Sequence, residues 1–186
     1  QFPDVLPEMS NYIDAGNFHH YPLGPITWNL DAKLMRANQW AQGKPIYVTE
    51  TGYNSATNLG GSVSENVGAK YLAQGYFDYF SRGVKQAYIY ELAQELDDSN
   101  MNDVEAQIGM VRSDFSYKPV AHAVKNLISV LKDPGDAFAP SSLDYSVTGG
   151  DANLKHLLLQ KRDGSFIVAL WQDVTLFDDA TKTEIP

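Results

Sequence analysis

The sequence predicts an α/β fold: a parallel βα series followed by a short β-rich tail. Two observations carry this. As far as residue 131, short runs rich in β-branched and aromatic residues alternate with amphipathic stretches, joined by short connections. Beyond Lys132-Asp133-Pro134-Gly135 the helical spacing stops and strand-like runs take over.

Taken in order, residues 1–10 read as irregular, because Pro3, Pro7 and Ser10 discourage regular structure. Gln1-Phe2-Pro3 reads as the interior of something longer, with no secretory leader before it. Tyr12, Ile13, Ala15 and Phe18 predict a strand over 11–20, weakened by Gly16 and stopped by Pro22. Leu30, Leu34, Met35, Ala37 and Ala41 give 28–42 the stripe of a helix, which Asn29 or Asp31 can cap and Gly43 ends. Ile46-Tyr47-Val48-Thr49 is the next strand; it meets Glu50 and then a Gly/Ser/Asn-rich loop, 52–61.

Ser62 and Glu65 are spaced as a capping box for a helix running to Arg82 and closed by Gly83. Tyr71, Tyr76, Phe77, Tyr79 and Phe80 make that helix strongly aromatic. A strand over 84–92 passes through Ala87-Tyr88-Ile89-Tyr90 to a second carboxylate, Glu91. An acidic loop, 95–105, and a turn through Asp114 lead to a last helix over 118–131, with Pro119 in its first turn. In the tail, 143–147, 154–160 and 165–171 are β-rich, and Asp163-Gly164 signals a hairpin between the last two. The expected division is 1–133 for the βα series and 134–186 for a partial β-sandwich-like domain.

A chain of 186 residues, 44% hydrophobic and 20% charged, has globular composition. Its formal net charge of −9 leaves no basic stripe for phosphates, which argues against nucleic acid and against a membrane surface as partners. No apolar run approaches the roughly 20 residues that span a bilayer. The absence of cysteine excludes disulfides and thiolate metal sites, and is compatible with the cytoplasm and equally with a bacterial secreted enzyme. The 11 tyrosines suit sugar or peptide ligands, since a ring covers apolar C–H faces while its hydroxyl hydrogen-bonds, although most are expected in the core. Nothing calls for a cofactor.

Three strand ends carry the chemistry. Glu50 and Glu91 close successive expected parallel strands, and a third offers His19, His20 and Tyr21. In a parallel barrel or open sheet these ends share one face, where active sites are built. For Glu50 alone, capping the following loop or pairing with a nearby Lys or Arg is the plainer reading. Two carboxylates with aromatics around them fit glycoside hydrolysis. Adjacent residues of a strand face opposite ways, so His19 and His20 do not share a metal, and His20 reads as a core residue. Asp97, Asp98, Asp103 and Glu105 lack the spacing and central glycine of a calcium loop and read as a solvated acidic loop, so no metal site is expected.

Four motifs in series, Phe18-His19-His20-Tyr21-Pro22, Val48-Thr49-Glu50-Thr51-Gly52-Tyr53, Tyr88-Ile89-Tyr90-Glu91-Leu92 and Lys118-Pro119-Val120-Ala121-His122-Ala123-Val124, resemble the second half of clan A retaining glycoside hydrolases. Bacterial secreted cellulase-like and family 39-like proteins are the nearest in kind. The resemblance implies the C-terminal part of a (β/α)8 TIM barrel, about strands 6 to 8, followed by the start of a small antiparallel β domain. It implies Glu50 as catalytic nucleophile, with His19, Tyr21, Tyr53, Tyr90 and Glu91 as substrate-binding residues on a β-linked poly- or oligosaccharide. Tyr90 and Glu91 stand where many relatives have a sugar-stacking Trp. The family's general acid/base lies in an Asn-Glu pair earlier in the barrel, and this sequence has no Asn-Glu. The missing N-terminal half is therefore the expected partner, and this fragment alone is expected to be inactive. The alternative is a non-catalytic carbohydrate-binding or structural barrel module.

Overall fold

The computed structural model describes residues 9–186; the irregular stretch expected around Pro3 and Pro7 lies outside them. The order is β1 (Gly16–His20), α1 (Leu30–Ala41), β2 (Ile46–Thr51), α2 (Glu65–Ser81), β3 (Val84–Ile89), α3 (Val104–Ile108), α4 (Pro119–Leu131), β4 (Leu154–Gln160), β5 (Phe166–Gln172), β6 (Phe177–Asp178) and β7 (Thr183–Glu184). The first three strands form one parallel sheet in the order β1-β2-β3, as the alternation of strands and helices requires.

β1 is shorter than the expected strand over 11–20. Gly16 opens it because a side chain there would meet Ile46 Cδ1 at 2.7 Å and Ala41 Cβ at 2.8 Å, so the glycine lets β1 lie close against α1 and β2. α1 buries Leu30, Leu34, Ala37 and Ala41, while Met35 faces solvent. Asn29 holds the N-cap position in left-handed backbone but makes no side-chain cap, so neither expected cap forms. These residues join Ile26, Ile46, Val48, Tyr79 and Val84 in the main core; each large apolar side chain removed from water contributes about 1.5–3 kcal/mol.

The capping box expected from Ser62 and Glu65 does not form. Ser64 is the N-cap of α2, accepting from the Val67 N–H at 3.2 Å. Ser62 donates instead to Asn54 Oδ1 at 2.6 Å, and Glu65 pairs with Arg112. The helix thus starts two residues later because each side chain has a tertiary partner that outcompetes the local pattern.

β3 ends at Ile89, three residues before the expected boundary, and the acidic loop is not wholly irregular. Asp103 caps a short helix, α3, through the Ala106 N–H at 3.1 Å. The last helix of the series, α4, starts at Pro119 as expected, yet none of its residues is buried. Val124, Leu127, Ile128 and Leu131 open onto an apolar groove of about 510 Å³ shared with α2, β3 and the β4-β5 hairpin.

In the tail, β4 and β5 pair antiparallel with Gln160 opposite Phe166, the hairpin that Asp163-Gly164 signals. Residues 143–147 are not a strand. Tyr145 Oη lies 2.7 Å from His156 Nδ1 of β4, and just upstream the Ser141 N–H donates to Gln160 Oε1 at 2.6 Å, but no backbone ladder forms. A small hairpin that the sequence did not announce, β6-β7, sends Phe177 into a second core with Val63, Val67 and Tyr71. Among the described residues, no helix is long and apolar enough to cross a membrane.

Candidate active site

Glu50 does not simply end a strand; it sits in a bulge. Phe18 pairs with Val48 but His19 pairs with Glu50, and on the other side Ala87 pairs with Val48 while Ile89 pairs with Thr51. β2 therefore holds one residue more than either neighbour between Val48 and Thr51. Strict alternation would send Glu50 to the side of the buried Ile46 and Val48. The extra residue makes Thr51 the next buried one and turns Glu50 out, partly exposed, beside His19.

Two side chains meet Glu50 at one oxygen. The Tyr21 hydroxyl donates to Oε2 at 2.7 Å, and His19 Nδ1 lies 3.2 Å from the same atom. Among the described residues Oε1 accepts no hydrogen bond and is left to the cleft. Burial first, and the neighbouring Glu50 second, push the Tyr21 phenol well above its ordinary range, so it stays a donor at working pH.

Behind this pair a buried relay fixes the sheet. Thr51 Oγ1 lies 2.8 Å from Tyr79 Oη, Tyr79 Oη lies 2.8 Å from His20 Nδ1, and His20 Nε2 lies 2.9 Å from the Trp28 carbonyl. A carbonyl only accepts, so Nε2 carries the proton. Burial lowers the His20 pKa and keeps the ring neutral. Nδ1 then accepts from Tyr79, and Tyr79 accepts from Thr51. His19 and His20 do face opposite ways, one to Glu50 and one to this core.

The third strand end arrives through Gly52. The Tyr90 N–H donates to the Thr51 carbonyl at 2.8 Å, and a Cβ on Gly52 would overlap the Tyr90 carbonyl oxygen. Only glycine allows that approach, which sets the Tyr90 ring edge-on to Tyr21 with centroids 6.4 Å apart. Tyr21, Glu50, Tyr53, Asn54, Tyr90 and Glu105 line a cleft of about 320 Å³.

Of the residues singled out in the sequence, Glu50, His19, Tyr21 and Tyr90 come together. Tyr53 contributes its ring to the cleft wall, while its hydroxyl donates to the Gly24 carbonyl at 2.8 Å and its ring packs on Tyr71. Glu91 is not part of the cleft lining. Its Oε1 is buried without a hydrogen-bond partner. Burial, with Glu95 and Glu105 nearby, raises its pKa. Glu105 and Asn54 are cleft residues that the sequence reading did not assign. Asp103 three residues before Ala106, a cap spacing inside the acidic loop, was the available signal for α3. Among the described residues no group of three or more His, Asp or Glu could hold a metal ion.

No protein-family model matches the sequence, and no curated protein matches it. Solved structures do. A family 39 glycoside hydrolase from the gut symbiont Bacteroides cellulosilyticus WH2 is 27% identical with a TM-score of 0.50, over 69% of this chain and 23% of that one. A GH2 beta-galacturonidase from Eisenbergiella tayi has a TM-score of 0.50 at 21% identity, over 71% of this chain and 26% of its own, a likeness of fold. A family 17 beta-1,3-glucanosyltransferase from Rhizomucor miehei aligns with 64% of this chain and 46% of its own, at 26% identity and a TM-score of 0.47. The chain spans about a quarter of the length of the first two. Of these, the family 39 and GH2 structures, at a TM-score of 0.50, are glycoside hydrolases that this mixed α/β chain resembles over part of their length.

Proposed function

We propose that this chain is the nucleophile-bearing part of a retaining glycoside hydrolase acting on a β-linked poly- or oligosaccharide. Its three parallel strands would be about strands 6 to 8 of a (β/α)8 barrel. The observation that carries the reading is the Glu50 carboxylate, held through Oε2 by Tyr21 and His19 with Oε1 turned to an aromatic-walled cleft.

In this mechanism Oε1 attacks the anomeric carbon while the glycosidic oxygen leaves, giving a glycosyl ester on Glu50 that water then cleaves. Retention requires a second carboxyl group about 5 Å from the nucleophile to protonate the leaving oxygen and then activate water. That group comes from polypeptide beyond this chain. Among the described residues the outer edges of β1 and β3 pair with no further strand, which supports a further piece of barrel closing here, since exposed parallel edges are costly to leave unpaired.

The test is an assay of the complete enzyme against its Glu50→Gln variant on aryl β-glycosides. Loss of a covalent nucleophile is expected to cost on the order of 10⁴-fold in kcat or more. Undiminished turnover in the variant would remove Glu50 from the role. Oligosaccharide binding without turnover in the complete wild-type protein would favour a non-catalytic carbohydrate-binding module.

A further inference from the structure

Glu105 is a second carboxylate in the cleft, and the chemistry at Glu50 makes no use of it. It stands exposed in the first turn of α3 and, among the described residues, accepts one hydrogen bond, from the Tyr90 hydroxyl at 3.3 Å. Its backbone is nevertheless fixed. Asp98 accepts the Asn102 and Asp103 N–H groups at 2.7 and 2.8 Å, folding the loop back on itself. One turn on, the buried Gln107 carbonyl collects Lys118 Nζ at 2.8 Å, Ser55 Oγ at 3.1 Å and the Ser55 N–H at 3.2 Å. The Gln107 side chain returns to the Asp98 carbonyl at 2.8 Å. α3 is thereby pinned both to its own loop and to the loop that follows Glu50.

An acceptor-only group held over a cleft, with one oxygen engaged at long range and the other free, is suited to hydroxyl donors. We propose that Glu105 is a specificity-determining residue of this cleft, accepting hydrogen bonds from adjacent hydroxyls of a pyranose ring that lies against Tyr90. The assignment rests on the glycosidase reading and deepens it. Tyr21 and Tyr90, in edge contact, separate the two carboxylates, so Glu50 faces the anomeric carbon and Glu105 faces ring hydroxyls. A ligand lacking those donors would leave Glu105 desolvated and unpaired, and that cost is the source of selectivity.

The experiment is titration calorimetry of the complete protein with cellotetraose, xylotetraose and laminaritetraose, for wild type and Glu105→Gln. Glu105→Gln keeps the size of the exposed side chain, so an unchanged thermal midpoint separates lost recognition from lost folding. The expected result is that wild type binds at least one sugar and that Glu105→Gln weakens it about tenfold or more. Wild-type binding that Glu105→Gln leaves unchanged overturns the Glu105 assignment alone. Failure of wild type to bind any of the three overturns the carbohydrate reading, and this inference with it.

Discussion

The Tyr21 hydroxyl and His19 Nδ1 converge on one oxygen of Glu50, at 2.7 and 3.2 Å, and leave the other oxygen facing the cleft. The arrangement depends on the bulge in β2, which sets Glu50 level with His19. It fixes the direction of the carboxylate.

Removing the Tyr21 hydrogen bond tests its contribution. A hydrogen bond to a charged group is worth about 1.5–3 kcal/mol, so Tyr21→Phe is expected to lower kcat/KM of the complete enzyme about ten- to a hundredfold. The thermal midpoint should hold, because the ring contact with Tyr90 survives. Unaltered kcat/KM would show that the bond does not matter to the reaction.

The buried relay predicts a pH effect on stability. Burial lowers the His20 pKa below its ordinary 6.5. Below that value the unfolded chain takes up a proton that the folded one refuses, so stability falls as the pH drops through and below about 6.5. Tyr79→Phe leaves His20 Nδ1 without its donor, at an expected cost of about 1–3 kcal/mol. Urea unfolding at pH 7.5 and 5.5 reads both effects. A pH-independent midpoint would contradict the neutral ring.

Lys118 acts at the alkaline end. It is 3% exposed, and burial brings its pKa from 10.5 to about 8. Between those values the unfolded chain holds a proton that the folded chain has released, so stability rises with pH from about 8 toward 10. Higher still, the buried Tyr53 and Tyr79 phenols, raised by burial, reverse the trend. Lys118→Met should flatten the rise, measured by denaturant midpoints across that window. A rise that persists in the variant would assign it to another group.

Gly52→Ala tests the approach of the third strand end. The added methyl overlaps the Tyr90 carbonyl oxygen, so either Tyr90 moves or the sheet loosens. Expected are a loss of about 1–3 kcal/mol of stability and weaker sugar binding at the Tyr90 wall. A variant with native stability and affinity would show that the contact is slack.

Much of this was legible in residue patterns. Leu30, Leu34, Ala37 and Ala41 gave α1, Pro119 gave the start of α4, and Asp163-Gly164 gave the β4-β5 hairpin, because each is a local signal with a local cause. What failed was decided elsewhere in the chain. Ser62 lost its capping role to Asn54 and Glu65 went to Arg112, partners eight and 47 residues away. Residues 143–147 had strand composition but no backbone partner. The placing of Glu50 needed a one-residue slip against both neighbours at once, which no single-strand periodicity contains. Glu105 was hidden because α3 is only 5 residues long and is held by Gln107, Lys118 and Ser55, not by its own pattern.

The central claim is that Glu50 attacks sugar carbon, and covalent trapping tests it most directly. A dinitrophenyl 2-deoxy-2-fluoro-β-glycoside carries a leaving group that departs without protonation, so the first step does not depend on a general acid. Incubation followed by mass spectrometry of the peptides is predicted to find one fluoroglycosyl ester, on the peptide containing Glu50, and none in Glu50→Gln. A label on any other residue, or the same label in the Glu50→Gln protein, would contradict the account.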